Sequence, residues 1–396
     1  MANEEHVGRG KTLGTSQIIL YTVIVGLACL LVLEIVVRMT TSARPWLNAR
    51  YVALSRQYAE LDALIADAGW GPGEPPKYYD EFLYAASPVV TRHVTFTEYY
   101  SARSTPDSMP LSEAEHIVWT FGGSTMENTE TTDSLTIANT WARVFNHTLG
   151  ASHVKNFGTG GFFSSYELIK FQKLLREVPE QERPTMGIFY DGYNDAVFGF
   201  QYGPGSTQKD LSLKLQSLVE SQHVRLWTYV SSKLIARWSS LWERTGDRLI
   251  QHVLFPLGNP LPNADYLARS VRVYVSNVKM LRAICDAFEI RCFFVLQPLL
   301  LTKMPLTLME QEALQALEAH PRFGPTGARF VRTFYAEVTE LLGGDEGFID
   351  ASRILNGRSD PDFYDVGHVG ALTPPVIGEK IAAQILARLN KLAPTQ

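Results

Sequence analysis

The sequence predicts an α/β domain, a parallel sheet covered by helices on both faces, placed behind one membrane-spanning helix. Three observations predict it. The apolar run Ile18 to Val37 is about as long as a bilayer core is thick. From about residue 113 onward, short apolar runs alternate with helix-length segments. Polar or glycine-rich segments then follow those runs, at the edge where open parallel sheets hold their ligands.

The span comes first. Residues 1–16 read as a short cytoplasmic N-terminus and 17–38 as the anchor. At about 1.5 Å per residue, a helix over IILYTVIVGLACLLVLEIVV covers roughly 30 Å. A cleavable leader has an apolar core of only about 7–15 residues, so an uncleaved anchor is expected, with a buried core helix as the alternative. Glu34 is the one costly residue, and it sits near the end of the run, where it can reach the interface. Arg9 and Lys11 precede the span and Arg38, Arg44 and Arg50 follow it, so positive charge does not set the orientation. An extracytoplasmic domain is expected from the chemistry below.

Residues 39–112 read as a stalk and lead-in. Up to about residue 65, Tyr51, Leu54, Tyr58, Leu61 and Leu64 fall on one helical face. Residues 66–112 are rich in Pro, Gly, Tyr and Thr, with β-like pieces at Val89-Val90 and His93-Val94-Thr95-Phe96. They predict an extended segment wrapped on the domain.

Residues 113–396 carry the alternation. The strand-like runs are Ile117–Phe121, Val154–Phe157, Met186–Tyr190, Cys292–Leu296 and Phe348–Ile349, a parallel sheet of about five strands. Helical segments include 138–149, 164–177, 265–288, 325–342 and 376–392. Residues 197–264 break the pattern and read as an insertion. It begins with a glycine-rich loop, Gly199 to Gly205, carries Trp227, Tyr229, Trp238 and Trp242, and ends in Pro256, Gly258, Pro260 and Pro262. A lid or acceptor-binding cap is one reading; a helical hairpin packed on the body or the membrane surface is the other.

A chain of 396 residues, 45% hydrophobic, suffices for one large domain plus appendages. The net charge of -5, without a long basic run, argues against nucleic acid as the main partner. Cys29 lies in the span. Cys285 on a helix and Cys292 opening a strand form a bridge in an oxidising compartment or stay as two buried thiols. Asn146-His147-Thr148 matches a glycosylation sequon, meaningful only in a eukaryotic secretory setting.

Four segments supply the parts of an acyl-transfer site. Phe121-Gly122-Gly123-Ser124-Thr125 follows the first run, and its glycines permit a sharp turn that places Ser124 at the start of a helix. A serine hydroxyl needs a base to become a nucleophile. His368 is the candidate base, and Asp365, three residues earlier, is the candidate acid that orients it. The developing oxyanion needs fixed donors. The Ser124 and Gly161 backbone N–H groups and the Asn194 side chain are the candidates. Met126 stands where the Gly-x-Ser-x-Gly elbow has its last glycine, so this is a different turn.

In this order the segments resemble the SGNH (GDSL-type) hydrolase superfamily over roughly residues 113 to 392. Ser124 matches the block I nucleophile, in a Gly-Gly-Ser variant of Gly-Asp-Ser. Gly161 matches the block II glycine, Asn194 the block III asparagine, and Asp365 and His368 match block V. The resemblance implies a flavodoxin-like three-layer α/β/α fold and a serine esterase or acyltransferase with no metal and no other cofactor. The anchor, Phe-Gly-Gly-Ser-Thr-Met and Phe-Tyr-Asp-Gly-Tyr-Asn-Asp resemble membrane-anchored bacterial members. They imply an acyl ester substrate on an envelope or extracellular glycan. A lipase-like enzyme on membrane lipids and a catalytically silent envelope scaffold are the alternatives.

Overall fold

The computed structural model describes residues 15–41, 49–68, 77–80, 83–86, 88–97, 100–203, 264–320 and 323–392, with isolated positions between 231 and 246. The chain divides into two compact units, Met1–Pro45 with Asp210–Gly258, and Trp46–Lys209 with Asn259–Gln396.

In the first unit, α1 (Thr15–Thr41) is a continuous helix. Its described side chains, 22–36, are exposed except for Glu34, which is half-buried. Glu34 accepts a hydrogen bond of 2.8 Å from the Ser239 hydroxyl, so the one acid of the apolar run has a partner in the insertion. Among the described residues no helix is long and apolar enough to cross a membrane. The span predicted for 18–37 extends past the residues whose side chains are described. Most of the predicted insertion also lies outside the described residues, among them Trp227, Tyr229, Trp238 and the Pro256–Pro262 segment.

The second unit opens with α2 (Ala49–Leu54) and α3 (Leu61–Asp67). The helical stalk expected up to about residue 65 is, from residue 49 on, two short helices with a turn between them. The physical reason is burial: Tyr51, Ser55, Leu64 and Ile65 pack into the body, and the Ser55 hydroxyl accepts the Ala371 amide at 3.0 Å. Two antiparallel hairpins follow, β1 (Lys77–Asp80) with β2 (Leu83–Ala86), and β3 (Val89–Val90) with β4 (Thr95–Phe96). His93 latches the second hairpin to α3, with Nδ1 2.7 Å from Asp67 and Nε2 2.7 Å from Glu60. Burial alone would lower the His93 pKa, but the two carboxylates outweigh it and raise it.

The main sheet has β5 (His116–Gly122), β6 (Ser152–Asn156), β7 (Met186–Asp191), β8 (Arg291–Leu296) and β9 (Phe348–Asp350). All are parallel, in the order β6-β5-β7-β8-β9. Numbered along the chain this is 2-1-3-4-5, the flavodoxin-like order, and it reverses between β5 and β7. The strand runs read from sequence match these strands to within a residue or two.

Helices fill the connections: α4 (Ser124–Glu127), α5 (Ile137–Thr148), α6 (Ser164–Glu177), α7 (Tyr193–Tyr202), α8 (Ala264–Ala287), α9 (Leu308–Glu318), α10 (Gly324–Leu342) and α11 (Pro374–Leu392). Residues 197–202 thus continue α7 rather than starting a loop. Strand side chains alternate between two cores. Val118, Ile188, Tyr190, Phe293 and Val295 face α5 and α11. Trp119, Phe121, Phe189, Phe294 and Leu296 face α6, α7, α8 and α10. Parallel register aligns Phe121, Phe189 and Phe294 into a stack, with ring centroids 5.0 Å and 5.4 Å apart. These two buried faces make the domain three-layered.

The lead-in covers the β6 edge, where the Arg103 N–H donates to the Asn156 carbonyl at 2.8 Å and the Met109 N–H to the Ser152 carbonyl at 3.0 Å. A disulfide joins Cys285 at the end of α8 to Cys292 at the start of β8.

Candidate active site

Strand order decides where a ligand can sit. At the reversal between β5 and β7, the loops beyond the two strands diverge to opposite faces and leave a crevice. Ser124 follows β5 and Asn194 follows β7, so both stand at that crevice. The β5–α4 turn is tight enough that a Cβ on Gly123 would collide with the Asn194 amide and the Phe162 carbonyl oxygen. Ser124 then opens the single turn of α4.

The partner arrives from far along the chain. Ser124 Oγ lies 2.7 Å from His368 Nε2 across 244 residues of sequence. His368 Nδ1 lies 2.9 Å from Asp365 Oδ2 and 3.1 Å from Oδ1. Donation from Nδ1–H to the carboxylate puts the lone pair on Nε2, where it can accept the serine proton. Asp365 Oδ1 also accepts the Gly367 N–H at 2.9 Å and the His368 N–H at 2.7 Å, so a local turn fixes the acid to its base. Burial would raise the Asp365 pKa; the His368 charge and these hydrogen bonds outweigh it and hold the carboxyl below its ordinary value.

Two tyrosines hold the imidazole. Tyr364 stacks on it with centroids 5.8 Å apart and planes at 20°, and Tyr193 meets it edge-on at 5.8 Å and 84°. A buried ionic cluster supports the other side of the loop. Lys303 Nζ lies 2.7 Å from Glu310 and 2.9 Å from Asp362, and Glu310 accepts the Asp362 and Phe363 amides at 2.9 Å and 3.2 Å.

The candidate oxyanion donors sit on two turns. Gly161 has φ 83°, a conformation that suits glycine, in a turn closed by Phe162 N–H to Thr159 O at 3.0 Å. Thr159 N–H donates to Gly122 O at 2.9 Å, which ties this turn to the serine loop. Asn194 Nδ2 donates to Phe162 O at 2.6 Å, and a side-chain amide carries a second N–H for another acceptor. Beneath Asn194, Asp195 accepts both the backbone N–H and the hydroxyl of Ser164, pinning the start of α6 to the start of α7. Asp195, Asp191 and Glu167 form a buried acid group, and burial pushes all three carboxyls up. Tyr274 donates to Asp191, which satisfies part of that group.

The structure thus joins Ser124, His368 and Asp365 in one hydrogen-bonded chain and sets Asn194 against the Gly123 turn. Gly161 adjoins Phe162, the residue that holds Asn194. Sequence reasoning missed several contributors. Tyr193 and Tyr364 sit directly beside Asn194 and Asp365 in the chain, and that adjacency was the available signal. Arg103 offered none. It is buried and uses its whole guanidinium, with Nε 2.6 Å from Asp133, Nη1 3.0 Å from the Glu127 and Asn128 carbonyls, and Nη2 2.8 Å from the Thr131 carbonyl. It therefore fixes the loop that follows Ser124. Arg103→Ala leaves three carbonyls without the guanidinium donor and Asp133 without its cation, and is expected to cost about 3–5 kcal/mol of stability in a denaturant titration.

A Ser–His–Asp triad at the carboxyl edge of a parallel sheet defines a site of the serine hydrolase type. No protein-family model matches this chain, and no curated protein matches it at a significant level. Among solved structures it is similar to the psychrotrophic esterase EstA from Pseudoalteromonas sp., at 12% identity and TM-score 0.34, covering 70% of this chain and 100% of that one. It is also similar to the acetylxylan esterase Axe2 from Geobacillus stearothermophilus, at 9% identity and TM-score 0.37, covering 70% and 94%. A GDSL-like lipase from Bacteroides thetaiotaomicron matches at 11% identity and TM-score 0.34, covering 72% and 92%. Likeness at this level carries no functional argument, so the chemistry rests on the geometry above.

Proposed function

We propose that the protein is an SGNH-type serine esterase or O-acyltransferase, working through an acyl-enzyme on ester-linked acyl groups, foremost acetyl groups, of envelope or extracellular glycans. One observation carries this reading: the chain from Ser124 Oγ to His368 Nε2 at 2.7 Å and from His368 Nδ1 to Asp365 at 2.9 Å. Ser124 Oγ attacks the ester carbonyl while His368 Nε2 takes its proton. Asp365 stabilises the imidazolium through Nδ1–H. The Ser124 N–H, the Gly161 N–H and the Asn194 amide hold the tetrahedral oxyanion. As the intermediate collapses, His368 returns the proton to the leaving alkoxide and the acyl group stays on Ser124. Water or a sugar hydroxyl then attacks the acyl-enzyme and gives its proton to His368, which returns it to Ser124 Oγ as the bond from Ser124 to the acyl group breaks.

In the same reading, residues 18–37 anchor the protein in a bilayer with the α/β domain outside the cytoplasm. The apolar side chains exposed along 22–36 support the anchor. The Cys285–Cys292 disulfide supports an oxidising compartment. A tethered esterase in that compartment meets envelope glycans, which favours the glycan substrate. The exposed apolar helix also favours the rival, an esterase for membrane lipids.

Turnover of p-nitrophenyl acetate and p-nitrophenyl palmitate by the detergent-purified chain separates the readings. Preference for the acetyl ester, with acetate release from an acetylated oligosaccharide, is expected. Preference for palmitate selects the lipid reading. No turnover and no serine adduct with a fluorophosphonate leaves a silent scaffold. Asn194→Ala is expected to lower kcat by about 10²–10³, as for loss of one oxyanion donor. A loss under about threefold would assign Asn194 to its turn alone.

A further inference from the structure

The loop that carries both Asp365 and His368 is held from outside the α/β alternation. Tyr51 on α2 is buried, and its ring meets Tyr364 edge-on at 5.4 Å and 73°. Tyr364 in turn stacks on His368. The Tyr51 hydroxyl donates to the Glu130 carbonyl at 2.7 Å, in the loop that follows the nucleophile's helix. Just past α2, the Ser55 hydroxyl accepts the Ala371 N–H at 3.0 Å. The Thr131 hydroxyl donates to the Ala371 carbonyl at 2.6 Å and closes the circuit between α2, the loop after Ser124 and the loop around His368.

The base therefore sits on an irregular loop and the nucleophile on a single helical turn followed by another such loop, and Tyr51 of α2 and Ser55 just past it bond to these two loops. Irregular backbone has no ladder of its own to fix it, and a catalytic pair tolerates an error of only about 0.5 Å. We propose that α2, read from sequence as part of a stalk, is a positioning element of the active site, in which Tyr51 and Ser55 hold the His368 loop against the Ser124 loop. The proposal rests on the serine-hydrolase reading of that site. Neither residue touches the reacting atoms. The segment that links the domain to the apolar helix thereby sets how well Ser124 and His368 meet.

The test uses the full-length protein. Tyr51→Phe keeps the ring and removes the hydroxyl; Ser55→Ala removes the acceptor for Ala371. Each is expected to lower kcat on p-nitrophenyl acetate about ten- to a hundred-fold, with KM changed less than about twofold. Ile385→Ala, buried on α11 in the core, is the control: its Tm falls while kcat holds. If the α2 variants lose Tm as the control does and kcat stays within about twofold, α2 is structural only and the proposal is overturned. A second readout needs no turnover. The His368 ring resonance, assigned by its loss in His368→Asn, is expected to shift and to change its titration in Tyr51→Phe; an unchanged titration also overturns the proposal. A wild-type protein without turnover, whose His368 titration still moves in Tyr51→Phe, would defeat the esterase reading and leave the positioning role of α2 intact.

Discussion

Ser124→Ala is expected to remove ester turnover, with kcat falling by about 10⁶ as when the nucleophile of a triad is deleted. The loss is that large because the neighbouring hydroxyl cannot replace it. The adjacent Thr125 is buried, and its hydroxyl donates to Gln297 Oε1 at 3.2 Å, away from the His368 bond. Stability changes little, since the variant forfeits one hydrogen bond worth about 1 kcal/mol. The fluorophosphonate adduct disappears with activity, while the melting curve stays near that of the wild type. Oxyanion donors and binding remain, so a residue of catalysis of about 10³–10⁴ over water persists. Undiminished turnover in this variant would remove Ser124 from the mechanism.

Asp365→Asn is the second large effect, a fall in kcat of about 10⁴ with the fold intact. The amide that replaces the carboxylate can present an N–H to His368 Nδ1. The imidazole then carries its proton on Nε2, facing the serine hydroxyl it must deprotonate. The variant also discards the charge that stabilises the imidazolium. Stability responds to pH with a defined sign. The folded Asp365 carboxyl lies below its unfolded value, so its contribution is present above the ordinary carboxylate range and lost as pH falls through the depressed value. Asp365→Asn is therefore expected to flatten part of the acid arm of the Tm curve. A variant with near wild-type kcat would show that the 2.9 Å contact orients nothing.

Much of the sheet was legible because its signals are local. Apolar runs such as Met186–Tyr190 are long enough to be buried on both faces, and they alternate with periodic helices such as 164–177. The candidate site was legible because turn chemistry and catalytic residue types occur in the same short segments. Helix α9 was overlooked although Thr307 and Glu310 form a capping box at its start. Arg103 was hidden, because its role depends on carbonyls from 127, 128 and 131 that no sequence pattern announces. The division of the stalk into α2 and α3 was illegible for a related reason. The periodicity of Tyr51, Leu54, Tyr58, Leu61 and Leu64 reports a buried face without saying what buries it, and the body of the domain bends the chain to do so.

By itself the sequence determined the strands, their parallel character and the residue types at four loops, since backbone periodicity and turn preference act over a few residues. Only the tertiary structure decided that Ser124 and His368 meet across 244 residues, and that α2 and Arg103 hold the loops they stand on. Hydrogen bonds between irregular loops carry no period, so their partners are chosen by the folded shape and not by the order of the chain.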